Sequence, residues 1–81
     1  MEVQTWETHM PAKAKWAQIA DGIRAQIQSG ELSPGDKLPS TSELCRQHDV
    51  SAIVVRQAIN ALKIEGLVEG VGGVGVFVVD E

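Results

Sequence analysis

Residues 30–68 read Gly30-Glu-Leu-Ser-Pro-Gly-Asp-Lys-Leu-Pro-Ser-Thr-Ser-Glu-Leu44, then Cys-Arg-Gln-His-Asp-Val50-Ser-Ala-Ile-Val-Val-Arg56, then Gln-Ala-Ile-Asn-Ala-Leu-Lys-Ile-Glu-Gly-Leu-Val68. Ser33-Pro34-Gly35-Asp36 places Pro and Gly at the central positions of a type II turn. Ser40-Thr41-Ser42-Glu43 is a capping box, and Pro39 in front of it disfavours an earlier helix start. The spacing predicts a short helix to about Gln47 that buries Leu44 and Cys45. His48-Asp49 makes the next turn, with Asp49 able to take the left-handed conformation. Val50 plugs the space between two helices, and Ser51 is the next N-cap. Val55, Ala58, Ile59 and Leu62 then form an apolar stripe ending at Gly66. Turn, capped helix, tight turn, capped helix and strand in that order describe a helix-turn-helix running into a β-hairpin.

Outward from this segment, Trp16, Ile19, Ala20, Ile23 and Ile27 recur at helical spacing, which predicts a first amphipathic helix over 12–29 with Gly30 as its stop. Downstream, Leu67-Val68-Glu69 and Val76-Phe77-Val78-Val79 are two short β-rich runs joined through Gly70, Gly72, Gly73 and Gly75, a hairpin with a glycine tip. Residues 1–11 show no periodicity and end at Pro11. The expected organisation is an N-terminal arm over 1–11, one domain over 12–79 and an acidic tail at 80–81. The fold class is α+β, mainly α: three helices and a two-stranded β-wing.

With 81 residues, 43% of them hydrophobic and 22% charged, the chain is sized for one small folded core. No apolar run approaches the roughly 20 residues of a membrane span, and the acidic start lacks the charged and apolar regions of a signal peptide. A cytoplasmic protein with no membrane association is expected. The net charge of −4 comes from the ends: Glu2, Glu7, Asp80 and Glu81 are terminal, whereas between Pro11 and Val79 seven basic residues meet seven acidic ones. A near-neutral body binds nucleic acid only where its charges segregate.

The segments above resemble the winged helix-turn-helix DNA-binding domain of the GntR family of bacterial transcription regulators. The likeness covers about residues 16–78. It rests on Gly30-Glu-Leu32, Pro34-Gly-Asp-Lys-Leu-Pro-Ser40, Glu43-Leu44, Val50-Ser51, Val55-Arg56-Gln-Ala58, Leu62, Glu65-Gly66-Leu-Val68 and Gly73-Val-Gly-Val-Phe-Val78, together and in order. It implies sequence-specific binding of double-stranded DNA, a recognition helix over about 51–65, and repression by operator occupancy, usually as a homodimer. Its DNA contacts fall on Ser40, Thr41 and Ser42, on Ser51 and Arg56, and on the wing tip. The family commonly has arginine where Ser42 and Ala52 stand, threonine where Val54 stands, and basic residues near Val71 to Val74. Relatives normally add a C-terminal domain that binds a metabolite and dimerises; within residues 1–81 no small-molecule ligand and no cofactor are expected.

The expected DNA-binding residues are therefore Ser40, Thr41, Ser42, Ser51, Ala52, Ile53, Val54, Arg56, Gln57, Asn60, Gly72 and Gly73. Small apolar side chains at the front of a major-groove helix meet thymine methyls, and arginine pairs with guanine edges or phosphates. Hydroxyls and helix-start amides hold phosphates without formal charge. Lys13, Lys15 and Lys37 are further backbone contacts if they share that side. The competing reading is a protein-interaction module in which Ala52, Ile53, Val54, Val71 and Val74 make one apolar patch. No enzyme is expected. His9 and His48 lie in the arm and a turn with no nucleophile beside them, and the glycines at 70–75 lack the lysine and helix of a phosphate loop. Cys45 reads as core packing, and no metal site is expected.

Overall fold

The structure is a computed structural model that describes residues 14–80. Three helices, α1 (Lys15–Ser29), α2 (Thr41–His48) and α3 (Ala52–Ile64), precede an antiparallel pair, β1 (Val68–Val71) and β2 (Gly75–Val78). The expected arm over 1–11, with Trp6 and His9, lies outside the described residues, as does Lys13.

Each turn residue does what its chemistry allows. Gly30 closes α1 in the left-handed conformation at φ 89°, where glycine has no Cβ to clash. Gly35, at φ 88°, completes the turn in which the Asp36 amide donates to the Ser33 carbonyl at 2.9 Å. The Ser33 amide returns a bond to the Asp36 carboxylate at 2.8 Å. Ser40 caps α2 by accepting from the Glu43 amide at 3.1 Å, while the Glu43 carboxylate accepts from the Ser40 amide at 3.0 Å. Among the described residues Asp49 is the non-glycine residue with positive φ, 55°, and it ends α2 there.

Three local expectations need correction. Ser51 stands at the N-cap of α3 with extended backbone, but its side chain accepts no capping bond. Trp16 belongs to the stripe on α1 yet sits 36% exposed at its rim, in a shallow hollow beside Ala61 and Ile64 of α3. Cys45 is half-buried rather than enclosed, packed against the core edge.

One core holds the elements together. Ile19, Ala20 and Ile23 of α1 meet Val55, Ala58, Ile59 and Leu62 of α3, with Leu44 from α2, Leu38 from the loop and Val68 and Val78 from the strands. The spacing i, i+3, i+4, i+7 in α3 turns that stripe inward. Burying a side chain such as Leu or Ile contributes about 1.5–3 kcal/mol. On the outside, Arg24 of α1 donates to both carboxylate oxygens of Glu65 just beyond α3, at 2.8 and 2.5 Å, and to Asp21 at 2.6 Å. This fork fixes α1 against the end of α3. It raises the Arg24 guanidinium further above its usual range and holds the Glu65 carboxyl below its ordinary value, mainly through the hydrogen bonds between them.

The hairpin is anchored at its base by residues 35–38, which leave the Ser33–Asp36 turn. The Leu38 amide donates to the Val76 carbonyl at 2.8 Å, Gly35 to Val78 at 2.9 Å, and Val78 to Asp36 at 2.8 Å. Residues 35–38 therefore run alongside β2 on the side away from β1, with Lys37 bridging Phe77. The hairpin register pairs Val68 with Val78, Glu69 with Phe77, Gly70 with Val76 and Val71 with Gly75. At the tip, Val74 donates to the Val71 carbonyl at 3.0 Å, and Gly73 supplies the positive φ of 76°.

Candidate nucleic-acid interface

Turning the apolar stripe of α3 inward leaves Ile53, Arg56, Asn60 and Lys63, at i, i+3, i+7 and i+10, along its outer face, all exposed. Arg56, Asn60 and Lys63 line an open groove between α3 and the wing, closed by Ile59, by Val76 of β2 and by Thr41 at the start of α2. Its volume is about 400 Å³. A second depression continues from Lys63 along the wing from Gly70 to Val76. A third runs under the wing past Lys37, Ser40, Thr41 and Val74.

No carboxylate lines any of these three depressions. Arg24, by contrast, is tied up with Asp21 and Glu65. The near-neutral body thus does segregate its charge: Lys37, Arg56 and Lys63 line depressions without a carboxylate, and Glu69 of β1 stands outside them.

Two glycines of the wing carry these lysines closely. A Cβ placed on Gly70 would lie 3.1 Å from the Lys63 Nζ, and one on Gly75 would lie 2.6 Å from the Lys37 Cε. Gly70 pairs with Val76 and Val71 with Gly75, so by the alternation of the pleat the two glycines present opposite faces of the hairpin. Lys63 was missed by sequence reasoning focused on the front of the helix; its position seven residues after Arg56, hence on the same helical face, was the available signal.

Of the residues expected from the sequence, Thr41, Arg56 and Asn60 come together in the groove, Ser40 lies beside it, and Gly72 and Gly73 form the wing turn alongside Lys63. The Ser40 oxygen is already engaged by the Glu43 amide. Ser42 and Ser51 are exposed but line none of these depressions. Gln57 lies on the neighbouring face, in a shallow hollow shared with Trp16, Asn60, Ala61 and Ile64. Ala52 and Val54 are half-buried, and Val54 packs against the core. The apolar front of the helix therefore reduces to Ile53, 65% exposed, and the five-residue patch of the competing reading is divided, with Val71 and Val74 exposed on the wing.

Three helices with a two-stranded antiparallel wing, and a cationic groove between the third helix and that wing, define a winged helix-turn-helix domain. Residues 15–78 match the family model described as bacterial regulatory proteins, gntR family. The chain belongs to that family. It is 44% identical over 72 residues to the mannosyl-D-glycerate transport/metabolism system repressor MngR of Escherichia coli, covering 89% of this chain and 30% of that protein. To the HTH-type transcriptional repressor NagR of Bacillus subtilis it is 43% identical over 61 residues, 75% of this chain and 25% of that one. The chain thus spans less than a third of the length of these relatives. Among solved structures, the DNA-binding domain of AraR in complex with its operator ORX1 superposes with a TM-score of 0.80 at 38% identity, covering 82% of this chain and 80% of that one. YtrA from Sulfolobus acidocaldarius, a GntR-family transcription factor, gives 0.79 at 39% identity, covering 88% and 74%. The family consists of regulatory proteins, not enzymes.

Proposed function

We propose that this domain binds double-stranded DNA sequence-specifically and regulates transcription in the cytoplasm by occupying an operator, with α3 as the helix that enters the major groove. The observation that carries this reading is the carboxylate-free groove between α3 and the wing, lined by Arg56, Asn60, Lys63 and Thr41. A helix-turn-helix places the exposed front of its second helix against base edges. Here that front offers Ile53 for a thymine methyl, Arg56 for a guanine edge or phosphate and Asn60 for an adenine edge. The Thr41 hydroxyl and the backbone amides at the α2 start hold the flanking phosphate. Operator binding by the similar AraR domain supports the same use of this fold. Two copies on a palindromic site are the natural arrangement, because half-site symmetry mirrors protein symmetry.

The test is fluorescence anisotropy against a random-sequence duplex pool at low and higher salt, followed by selection of the preferred site. Arg56→Ala is expected to weaken binding to the selected site by about 1–3 kcal/mol. Absence of salt-dependent binding to any duplex would end the proposal, and unchanged affinity in Arg56→Ala would remove that residue from the interface.

A further inference from the structure

The wing of this protein bears no cation of its own from Gly70 to Val78, yet a lysine ammonium lies directly on it. We propose that Lys63, projecting from the last turn of α3 over Gly70, is the wing's phosphate-contacting cation, and that Gly70 is the seat that admits it. The inference rests on the DNA-binding reading above and adds to it a contact residue at the far end of the helix from the base-reading front.

Three observations on different elements converge. The Lys63 Nζ would stand only 3.1 Å from a Cβ at Gly70, and the Cε 3.4 Å. Such a spacing is tighter than ordinary van der Waals contact, so an alanine at position 70 would make the ammonium give by a few tenths of an ångström. Lys63 and Val76 both line the helix–wing groove and the wing depression running from Gly70 to Val76, and Lys63 is the charged one of the two. It thereby joins the helix surface to the wing in one continuous cationic track. Finally, no acidic side chain lines either depression, and the acidic residue in β1, Glu69, precedes Gly70 and so presents the opposite face of the hairpin. The ammonium is left to meet an external anion. A backbone phosphate is the anion that a wing lying along a DNA groove encounters. A point charge on a flexible stem suits it, since a phosphate contact demands charge and reach more than fixed geometry.

Charge transplantation tests the proposal. Binding of wild type, Lys63→Ala, Gly70→Arg and the double variant Lys63→Ala/Gly70→Arg to a short mixed-sequence duplex is measured as a function of salt, with thermal unfolding of each variant alongside. Lys63→Ala is expected to lower affinity roughly 5–10-fold near 0.1 M salt and to flatten the log–log salt slope by about 0.9, the loss of one phosphate contact. Gly70→Arg in the Lys63→Ala background, which returns a cation to the same place on the wing, is expected to restore both. A wild type that binds while Lys63→Ala keeps its affinity and slope overturns the assignment. So does a Lys63→Ala variant that loses affinity with its salt slope unchanged, because the loss would then not be ionic. A wild type that binds no duplex at all overturns the DNA-binding reading itself, and this assignment with it.

Discussion

The segregated charge makes a quantitative prediction about salt. Of the seven basic residues in the chain, Arg24 is held by two carboxylates, while Lys37, Arg56 and Lys63 line depressions that contain none. If each of the three neutralises one phosphate, log K falls against log salt with a slope of about −2.7 per chain. Raising salt fourfold, from about 50 to about 200 mM, then weakens binding by about 1.6 decades, roughly 40-fold. A DNA reader with six to ten phosphate contacts loses about 10³–10⁵ over the same interval, so the two cases are easily told apart. The measurement is anisotropy of a labelled duplex short enough for one chain, titrated at five or six salt concentrations. A slope near zero would refute the ionic groove. A slope steeper than about −5 would refute the three-cation count and bring Lys13, Lys15 or Arg46 into the contact.

Stability should respond where the packing says it will. Leu62 is fully buried between α1 and the strands, so Leu62→Ala is expected to cost about 2–5 kcal/mol in urea unfolding; a cost below about 1 kcal/mol would mean that the core closes around the deletion. The Arg24–Glu65 fork gives a pH signature. Because the folded state holds the Glu65 carboxyl below its ordinary 4.5, its contribution is fully present above that pH and is lost as pH falls through the lowered folded value. Glu65→Gln should therefore narrow the gap in thermal stability between pH 7 and pH 3 relative to wild type, and an unchanged gap would take the fork out of acid unfolding.

Much of this architecture was legible because the signals are local. The capping box at Ser40–Glu43, the Pro34-Gly35 turn, the left-handed Asp49 and the stripe Val55, Ala58, Ile59 and Leu62 each fix geometry within four to eight residues. What the sequence concealed is contact between distant segments. Nothing in Gly35-Asp-Lys-Leu38 alone announces that its backbone will pair with β2, and the placement of Lys63 over Gly70 depends on the angle between α3 and the hairpin. Periodicity also overstated two burials, those of Trp16 at the rim of its stripe and of half-buried Cys45, whereas Ala52 and Val54, taken as exposed in the competing reading, are half-buried. Of the site, Thr41 and Arg56 were expected from the family resemblance and Asn60 from its place on the outward helix face, and the structure brings the three to one groove. Gln57 fell on the neighbouring face, one step of 100° away.

The pairing of residues 35–38 with β2 also bears on solubility. A two-stranded hairpin standing alone would offer two open rows of amides and carbonyls, each a template for a strand from another molecule. Here the outer row of β2 is already occupied by Gly35, Asp36 and Leu38, which leaves β1 as the one open side of the hairpin. That side is only four residues long and carries Glu69 and Gly70, a short, charged and weakly strand-forming border that discourages edge-to-edge addition. The wing can therefore expose valines at its tip without inviting the chain to polymerise through it.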